Sequence, residues 1–192
     1  VPSMNQGDLL LFKQAKLPNQ SMKLEVLSEL TERWKRGELS PQDRSTLFIL
    51  RWLAEEGVSD RIRSIEPRNF PEVRRRAAHL LGAIGGLEAR AILRRIIVQD
   101  PEPMVVAEAI HALRRSPLPL TGEEVAGLMV VFSQQVLPKL EANLAYAALL
   151  LLKDKPLGAG SPFASEIFSK VLVIPDLPFP NVVKALAWEV IR

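Results

Sequence analysis

Few side chains in this sequence could carry out chemistry. Cysteine is absent, which excludes disulfides, thiolate nucleophiles and cysteine-ligated zinc. Histidine occurs only as His79 and His111, so a multi-histidine metal cage is nearly excluded as well. Glu108 lies three residues before His111, close to the flank of the same expected helix, which makes a weak acid–base pair. We therefore predict no catalytic residue, no cofactor, no metal site and no enzymatic activity.

Positive charge is concentrated in one stretch of the chain. Residues 61–95 contain nine arginines and three acidic residues, whereas the whole chain has a net charge of only +3. Such a segment favours an acidic protein surface or a nucleic-acid backbone as partner. Helical phase divides the arginines between faces, because Arg75 points away from the expected core while Arg90 and Arg94 lie on another helix. A solvated face that only aids solubility remains the alternative.

The elements that would position these side chains are helices. Apolar residues recur with a period of 3.6, no alternating strand pattern is evident, and proline opens many of the segments. A short first helix is expected from Asp8, as its cap, to Leu11. The others are expected over about residues 22–35, 41–56, 71–84, 87–98, 103–114, 123–136, 138–152, 163–173 and 180–192. The longest apolar run, residues 144–152, is too short for a membrane span of about 20 residues.

The helices opened by proline repeat one another. The segments from Pro71, Pro103, Pro138 and Pro180 align at offsets of 32, 35 and 42 residues. Three apolar positions recur in register in the copies: Val73, Ala77 and Leu80; Val105, Ala109 and Ala112; Leu140, Leu144 and Ala147; Val182 and Leu186. In the fourth copy the third position is the acidic Glu189. A second amphipathic helix lies between successive copies. Each helix pair cannot bury its apolar face alone, so the pairs are predicted to stack as an all-α solenoid.

The segment FPEVRRRAAHLLGAIG, residues 70–85, resembles a HEAT repeat of the short, phycobilisome-lyase-like type. It has the acidic residue, the Val-Arg pair, the alanine pair and the Leu-Gly ending, whereas the later copies lack Val-Arg. The resemblance implies a single domain, 1–192, built as a right-handed α-solenoid of stacked antiparallel helix pairs (HEAT/armadillo-like). Residues 70–192 would be HEAT-like repeats and 1–69 degenerate ones. No stop residue ends the last helix, which leaves open that the array continues past Arg192.

The same resemblance implies roles for individual side chains. The Val-Arg arginine, Arg74, is expected to bond acidic or backbone groups near Glu72 or Asp100. The helix opened by proline would line the concave groove, with one ring per repeat and with Gly82 and Leu149 among the flanking positions. The predicted partner-binding residues are Arg75, His79, His111, Arg114, Tyr146, Lys184 and Trp188. Alternatively, Tyr146 and Trp188 pack against neighbouring repeats and the histidines are merely solvated.

The predicted function is a non-enzymatic scaffold or adaptor that binds a peptide or helix of another protein. Trp188 and Tyr146 would anchor an apolar segment, while Arg75 and Arg114 would pair with acidic residues of the partner. The main alternative is nucleic-acid binding, as in the DNA-repair glycosylases built from HEAT-like repeats, although no acidic residue adjoins the two aromatic rings in the expected groove. A third alternative is a segment that only spaces or stiffens a larger chain. The lack of cysteine fits the cytoplasm without excluding export, so the compartment stays open.

Overall fold

The chain folds into α-helices throughout the part that the structure, a computed structural model, describes: residues 2–56, 58, 69–134, 140–158 and 160–192. Within these ranges there is no strand, which confirms the all-α prediction. The described residues form ten α-helices: α1 (Gln6–Ala15), α2 (Gln20–Lys35), α3 (Arg44–Glu55), α4 (Pro71–Ile84), α5 (Gly86–Gln99), α6 (Pro103–Arg115), α7 (Gly122–Gln134), α8 (Ala142–Asp154), α9 (Ala164–Val173) and α10 (Asn181–Ile191).

Two of the predicted proline starts are confirmed. Pro71 and Pro103 are the first residues of α4 and α6, where a missing N–H costs no hydrogen bond. Residues 61–68 of the arginine-rich stretch and Pro138 lie outside the described residues. The helix expected from Pro138 is wrong in its start, because α8 begins at Ala142, where the Glu141 carboxylate accepts a hydrogen bond from the Leu144 N–H at 3.0 Å.

The starts expected near the amino end are also wrong, because other side chains provide the caps. Asn5, and not Asp8, caps α1: its Oδ1 accepts from the Asp8 N–H at 2.8 Å, and the helix runs on to Ala15. The helix expected from Pro41 begins instead after Asp43. The Asp43 carboxylate accepts hydrogen bonds from the N–H groups of Ser45 and Thr46, both at 3.1 Å.

The helices form two layers of stacked pairs. The odd-numbered helices contact one another in chain order, from α1 to α9, and the even-numbered helices do the same from α2 to α10. A single apolar core runs between the layers. This arrangement confirms the predicted solenoid of helix pairs. No helix in the described part of the chain is long and apolar enough to cross a bilayer.

Small residues let α4 and α6 approach closely. Ala77 of α4 and Ala109 of α6 have no solvent exposure, as their place in the repeat alignment predicts. At Gly82 the contact leaves no room for a side chain, since an added Cβ would lie 2.5 Å from Ala112 Cβ. The last copy departs from the alignment, because Val182 is 57% exposed where its counterparts are buried. Val183 is buried in its place.

Ion pairs between consecutive helix pairs are buried within the stack. Three of them occur in the described residues: Lys23–Glu56, Arg74–Asp100 and Arg90–Glu124. Arg74 makes the interaction expected of it, with Nε 2.6 Å from Asp100 Oδ2 and Nη2 3.2 Å from Asp100 Oδ1. Its Nη1 also donates to Asn69 Oδ1 at 2.8 Å. The buried guanidinium is thus fully engaged within the protein and is not available to a partner.

Candidate functional site

The predicted partner-binding residues all lie on the even-numbered helices. Arg75 and His79 are on α4, His111 and Arg114 on α6, Tyr146 on α8, and Lys184 and Trp188 on α10. None of them is buried, because the apolar positions of these helices turn towards the core and leave the opposite side to solvent. We call this solvent-facing side of the even-numbered helices the second-layer face.

The ring side chains differ in how much they offer to a partner. The His79 side chain is 65% exposed and Trp188 is 50% exposed, whereas His111 is half-buried. Tyr146 is half-buried and packs against the core, which is the packing role weighed for it above. Leu149 of α8, an expected flanking position, is fully buried. Trp188 is therefore the ring with the largest free apolar surface.

The Glu108 carboxylate on α6 contacts side chains of both α4 and α6 on this face. Glu108 Oε1 lies 2.9 Å from His79 Nδ1 and 3.3 Å from Arg115 Nη2. Its Oε2 lies 3.9 Å from Arg75 Nη1. The Glu108 side chain is only 15% exposed, so this cluster joins α4 to α6. His111, which the sequence offers only as a weak acid–base partner of Glu108, is not among these contacts.

The exposed arginines of the second-layer face already have carboxylates beside them. Arg75 donates to Glu72 through Nε at 2.9 Å and Nη2 at 3.1 Å, and Arg76 Nε donates to the same carboxylate at 2.7 Å. The hydrogen bond from Arg75 holds the pKa of Glu72 below its usual range. Arg114 Nη1 lies 3.6 Å from Asp154 Oδ2. The two arginines predicted to meet an acidic partner thus face acids of their own chain.

The remaining described arginines of the basic stretch lie on α5, in the other layer. Arg90 Nε donates to Glu124 Oε1 at 2.8 Å. Burial opposes ionisation of Glu124, but hydrogen bonds from Arg90 and Thr121 outweigh it and keep the pKa low. The other two pairs are Arg94–Glu123 and Arg95–Glu55. The arginines are therefore divided between faces and each is paired, as their helical phase predicts.

His111 has a lowered pKa on this face. Burial lowers the pKa of its imidazole, and the positive charge of Arg114 lowers it further, more than the Glu108 carboxylate raises it. The ring is therefore neutral at pH 7 and can pack as an uncharged ring. Among the side chains that the structure describes, no group of three or more His, Asp or Glu residues is arranged to hold a metal ion.

Comparison with known proteins identifies the architecture. Residues 58–148 match the family model described as HEAT repeats. This range includes α4 to α7 and the first part of α8. Comparison with curated proteins gives no match, and neither does comparison with solved structures. HEAT repeats are generally protein-interaction scaffolds. The chain is thus an all-α, HEAT-like solenoid of stacked helix pairs, and residues 58–148 are the part that matches HEAT repeats.

Proposed function

We propose that this protein is a non-enzymatic scaffold or adaptor that binds a peptide or helix of another protein on its second-layer face. The observation that carries the proposal is the half-exposed Trp188 on α10, in the same layer as the exposed His79. A tryptophan offers a large apolar area and loses little side-chain entropy on binding, which is why such rings anchor protein interfaces.

The surroundings of Trp188 suit an apolar segment with charged flanks. Lys184 lies one helical turn before the ring on α10. Lys153 of α8 and Glu189 of α10 form an exposed pair, with Nζ 2.5 Å from Oε2. We expect an apolar partner side chain to pack on Trp188, and polar groups of the partner to meet these charges at the rim.

The paired arginines change what Arg75 and Arg114 contribute. An acidic residue of the partner must share each arginine with Glu72 or Asp154, and exposed ion pairs contribute only about 0–1 kcal/mol each. Affinity should therefore depend mainly on the rings. The nucleic-acid alternative is disfavoured by a different feature, because the described arginines of the basic stretch are divided between α4 and α5 in different layers and form no continuous basic surface for a phosphate backbone.

The proposal is tested by capture of partners from a lysate of the source cells. The bait is the intact chain, compared with a His111→Ala, Tyr146→Ala, Trp188→Ala variant and with Trp188→Ala alone. Leu172→Ala removes a similarly exposed apolar side chain from α9 in the other layer and serves as the control. Circular dichroism confirms that each variant is folded, which matters most for the core-packed Tyr146.

We expect a protein that the intact chain and the Leu172 control retain and that Trp188→Ala loses. Capture that does not change in either Trp188 variant would refute the assignment of this face. Nucleic acid in the eluate, with an affinity that falls linearly in log salt, would favour the alternative function. If a partner is captured only by a longer chain that contains this segment, and Trp188→Ala does not reduce that capture, the spacer alternative is favoured.

A further inference from the structure

The second-layer face also contains a cleft between α2 and α4. Its volume is about 630 Å³, and it is open to solvent. Leu27 and Trp34 of α2 and Leu80 and Ala83 of α4 supply its apolar lining. None of the predicted partner-binding residues beyond α4 contributes to it, so it is separate from the surface around Trp188.

The cleft exists because α2 stays farther from α4 than α6 does. Gly82 and Ala112 bring α4 and α6 into direct backbone contact, whereas α2 presents Leu27, Thr31 and Trp34 towards α4. The pairing of α2 with α4 is accordingly looser than that of α4 with α6. The gap between the helices is a consequence of side-chain size at the two interfaces.

The rim of the cleft is mainly cationic. Lys35 of α2 and Arg76 of α4 line it with charged side chains that are at least half exposed, and Arg75 and the His79 ring are also in the lining. The acidic residue of the lining is Glu32, whose Oε1 is 2.7 Å from Lys35 Nζ. The pairs that hold Lys35 and Arg76 are short-range helix pairs at the surface, which exchange partners at little cost.

The walls of the cleft determine which form of chain it accepts. Both walls are helices whose backbone N–H and C=O groups bond within the helix, so an extended peptide would find no backbone partners there. A helix satisfies its own backbone and can place apolar side chains into a groove while its charged side chains remain at the edge. The occupant that fits the cleft is therefore helical.

We propose that the cleft between α2 and α4 is a docking site for an acidic amphipathic helix of another protein. The apolar side of that helix packs on Trp34 and Ala83, the apolar lining residues that are not buried, and its carboxylates pair with Lys35 and Arg76. This inference rests on the proposed function, since it names the chemistry of one partner, but it concerns the opposite end of the second-layer face from Trp188.

The test uses a labelled helical peptide of about 16 residues, long enough to hold helical structure. Its apolar side carries leucines and its edges carry glutamates, and binding to the intact chain is followed by fluorescence anisotropy. A second peptide has lysine at every glutamate position. We expect the acidic peptide to bind, more weakly as salt rises, and the lysine peptide not to bind.

Two pairs of matched variants locate the binding. Arg76→Glu should weaken binding of the acidic peptide about fivefold. Arg51→Glu is the control, since Arg51 on α3 is equally exposed and also has an i,i+4 carboxylate, in the reverse order; it should change binding less than about twofold. Ala83→Phe fills the cleft from an exposed position and should abolish binding. Ala185→Phe makes the same change at an exposed site on α10 and should have no effect.

The inference is overturned if both peptides bind alike, if neither binds, or if the cleft variants behave like their controls. It is also overturned if a single-stranded oligonucleotide binds and responds to Arg76→Glu while the acidic peptide does not. If the peptide fails but Trp188-dependent capture persists, the scaffold function stands and only the cleft assignment is lost. Peptide binding without Trp188-dependent capture supports the cleft and refutes the assignment around Trp188.

Discussion

Replacing Arg74 with methionine should lower the free energy of unfolding by about 3–5 kcal/mol. Arg74 and Asp100 are both 1% exposed at their side chains, so the change leaves a carboxylate in the interior without its counter-charge. The variant loses the two hydrogen bonds from the guanidinium to Asp100 and the one to Asn69. The hydrogen bond that the Glu102 N–H donates to Asp100 Oδ1, at 2.9 Å, remains in the variant.

The size of this effect comes from desolvation and not from the attraction between the two charges. Arg76 and Glu72 are paired at a similar distance, 2.7 Å, but Arg76 is half exposed and water can replace its partner. Arg76→Met should therefore change stability by less than about 0.5 kcal/mol. Comparison of Arg74→Met with Arg76→Met separates burial from pairing within one helix.

The measurement is urea unfolding followed by circular dichroism, together with thermal melting. For a chain of this size each kcal/mol corresponds to about 2–4 °C, so Arg74→Met should melt about 6–20 °C lower. A double variant, Arg74→Met with Asp100→Leu, should recover part of the loss, because no buried charge is left unpaired. A loss below about 1 kcal/mol for Arg74→Met, or no recovery in the double variant, would refute the reasoning.

Three further predictions concern a close contact, a backbone conformation and a titration. Gly82→Val should destabilise the protein by about 1–3 kcal/mol in urea unfolding, because its side chain must displace Ala112; an unchanged midpoint would contradict the close contact. Gly85→Ala should cost about 1–3 kcal/mol by the same assay, although its surroundings are empty, because φ 73° and ψ −164° suit only glycine. The pKa of His111 is below its unfolded value of 6.5, so its contribution to stability is present above pH 6.5 and is lost as pH falls towards the folded pKa. Melting temperatures measured at pH 7.5 and pH 5.5 should accordingly fall less for His111→Gln than for the unaltered chain, and equal falls would refute this.

The sequence was sufficient for the architecture because repetition constrains it. The alanines at 77 and 109 and the prolines at 71 and 103 recur in register, and a helix pair with one apolar face must stack. Helix starts were less predictable, because several residues near each start could serve as the cap. Asn5 precedes Asp8 and Asp43 follows Pro41, and only the path of the chain decides which side chain reaches the first N–H groups.

The candidate site was predictable only in part, since it depends on contacts between helices. Exposure of Trp188 and burial of Leu149 depend on how α10 and α8 are rotated within the stack, which the period of 3.6 does not specify. The His79–Glu108 contact joins residues 29 apart. In the repeat alignment His79 corresponds to His111, and Glu108 lies about one helical turn before His111. The alignment therefore places His79 near Glu108, which a comparison of residues within one helix could not reveal.

The buried ion pairs give the stack a direction and an order. In Lys23–Glu56, Arg74–Asp100 and Arg90–Glu124 the cation lies on the earlier helix pair and the carboxylate on the next, and the exposed Lys153–Glu189 pair has the same sense, whereas the less buried Arg95–Glu55 pair has the opposite sense. Identical repeats can be deleted, duplicated or exchanged, because any unit fits any other. Here an inserted or removed unit would leave an unmatched charge inside the protein unless it carried an acid for the unit before it and a base for the unit after it. The array can therefore gain, lose or exchange a unit without an unpaired interior charge only where the acid and the base of the new neighbours still meet.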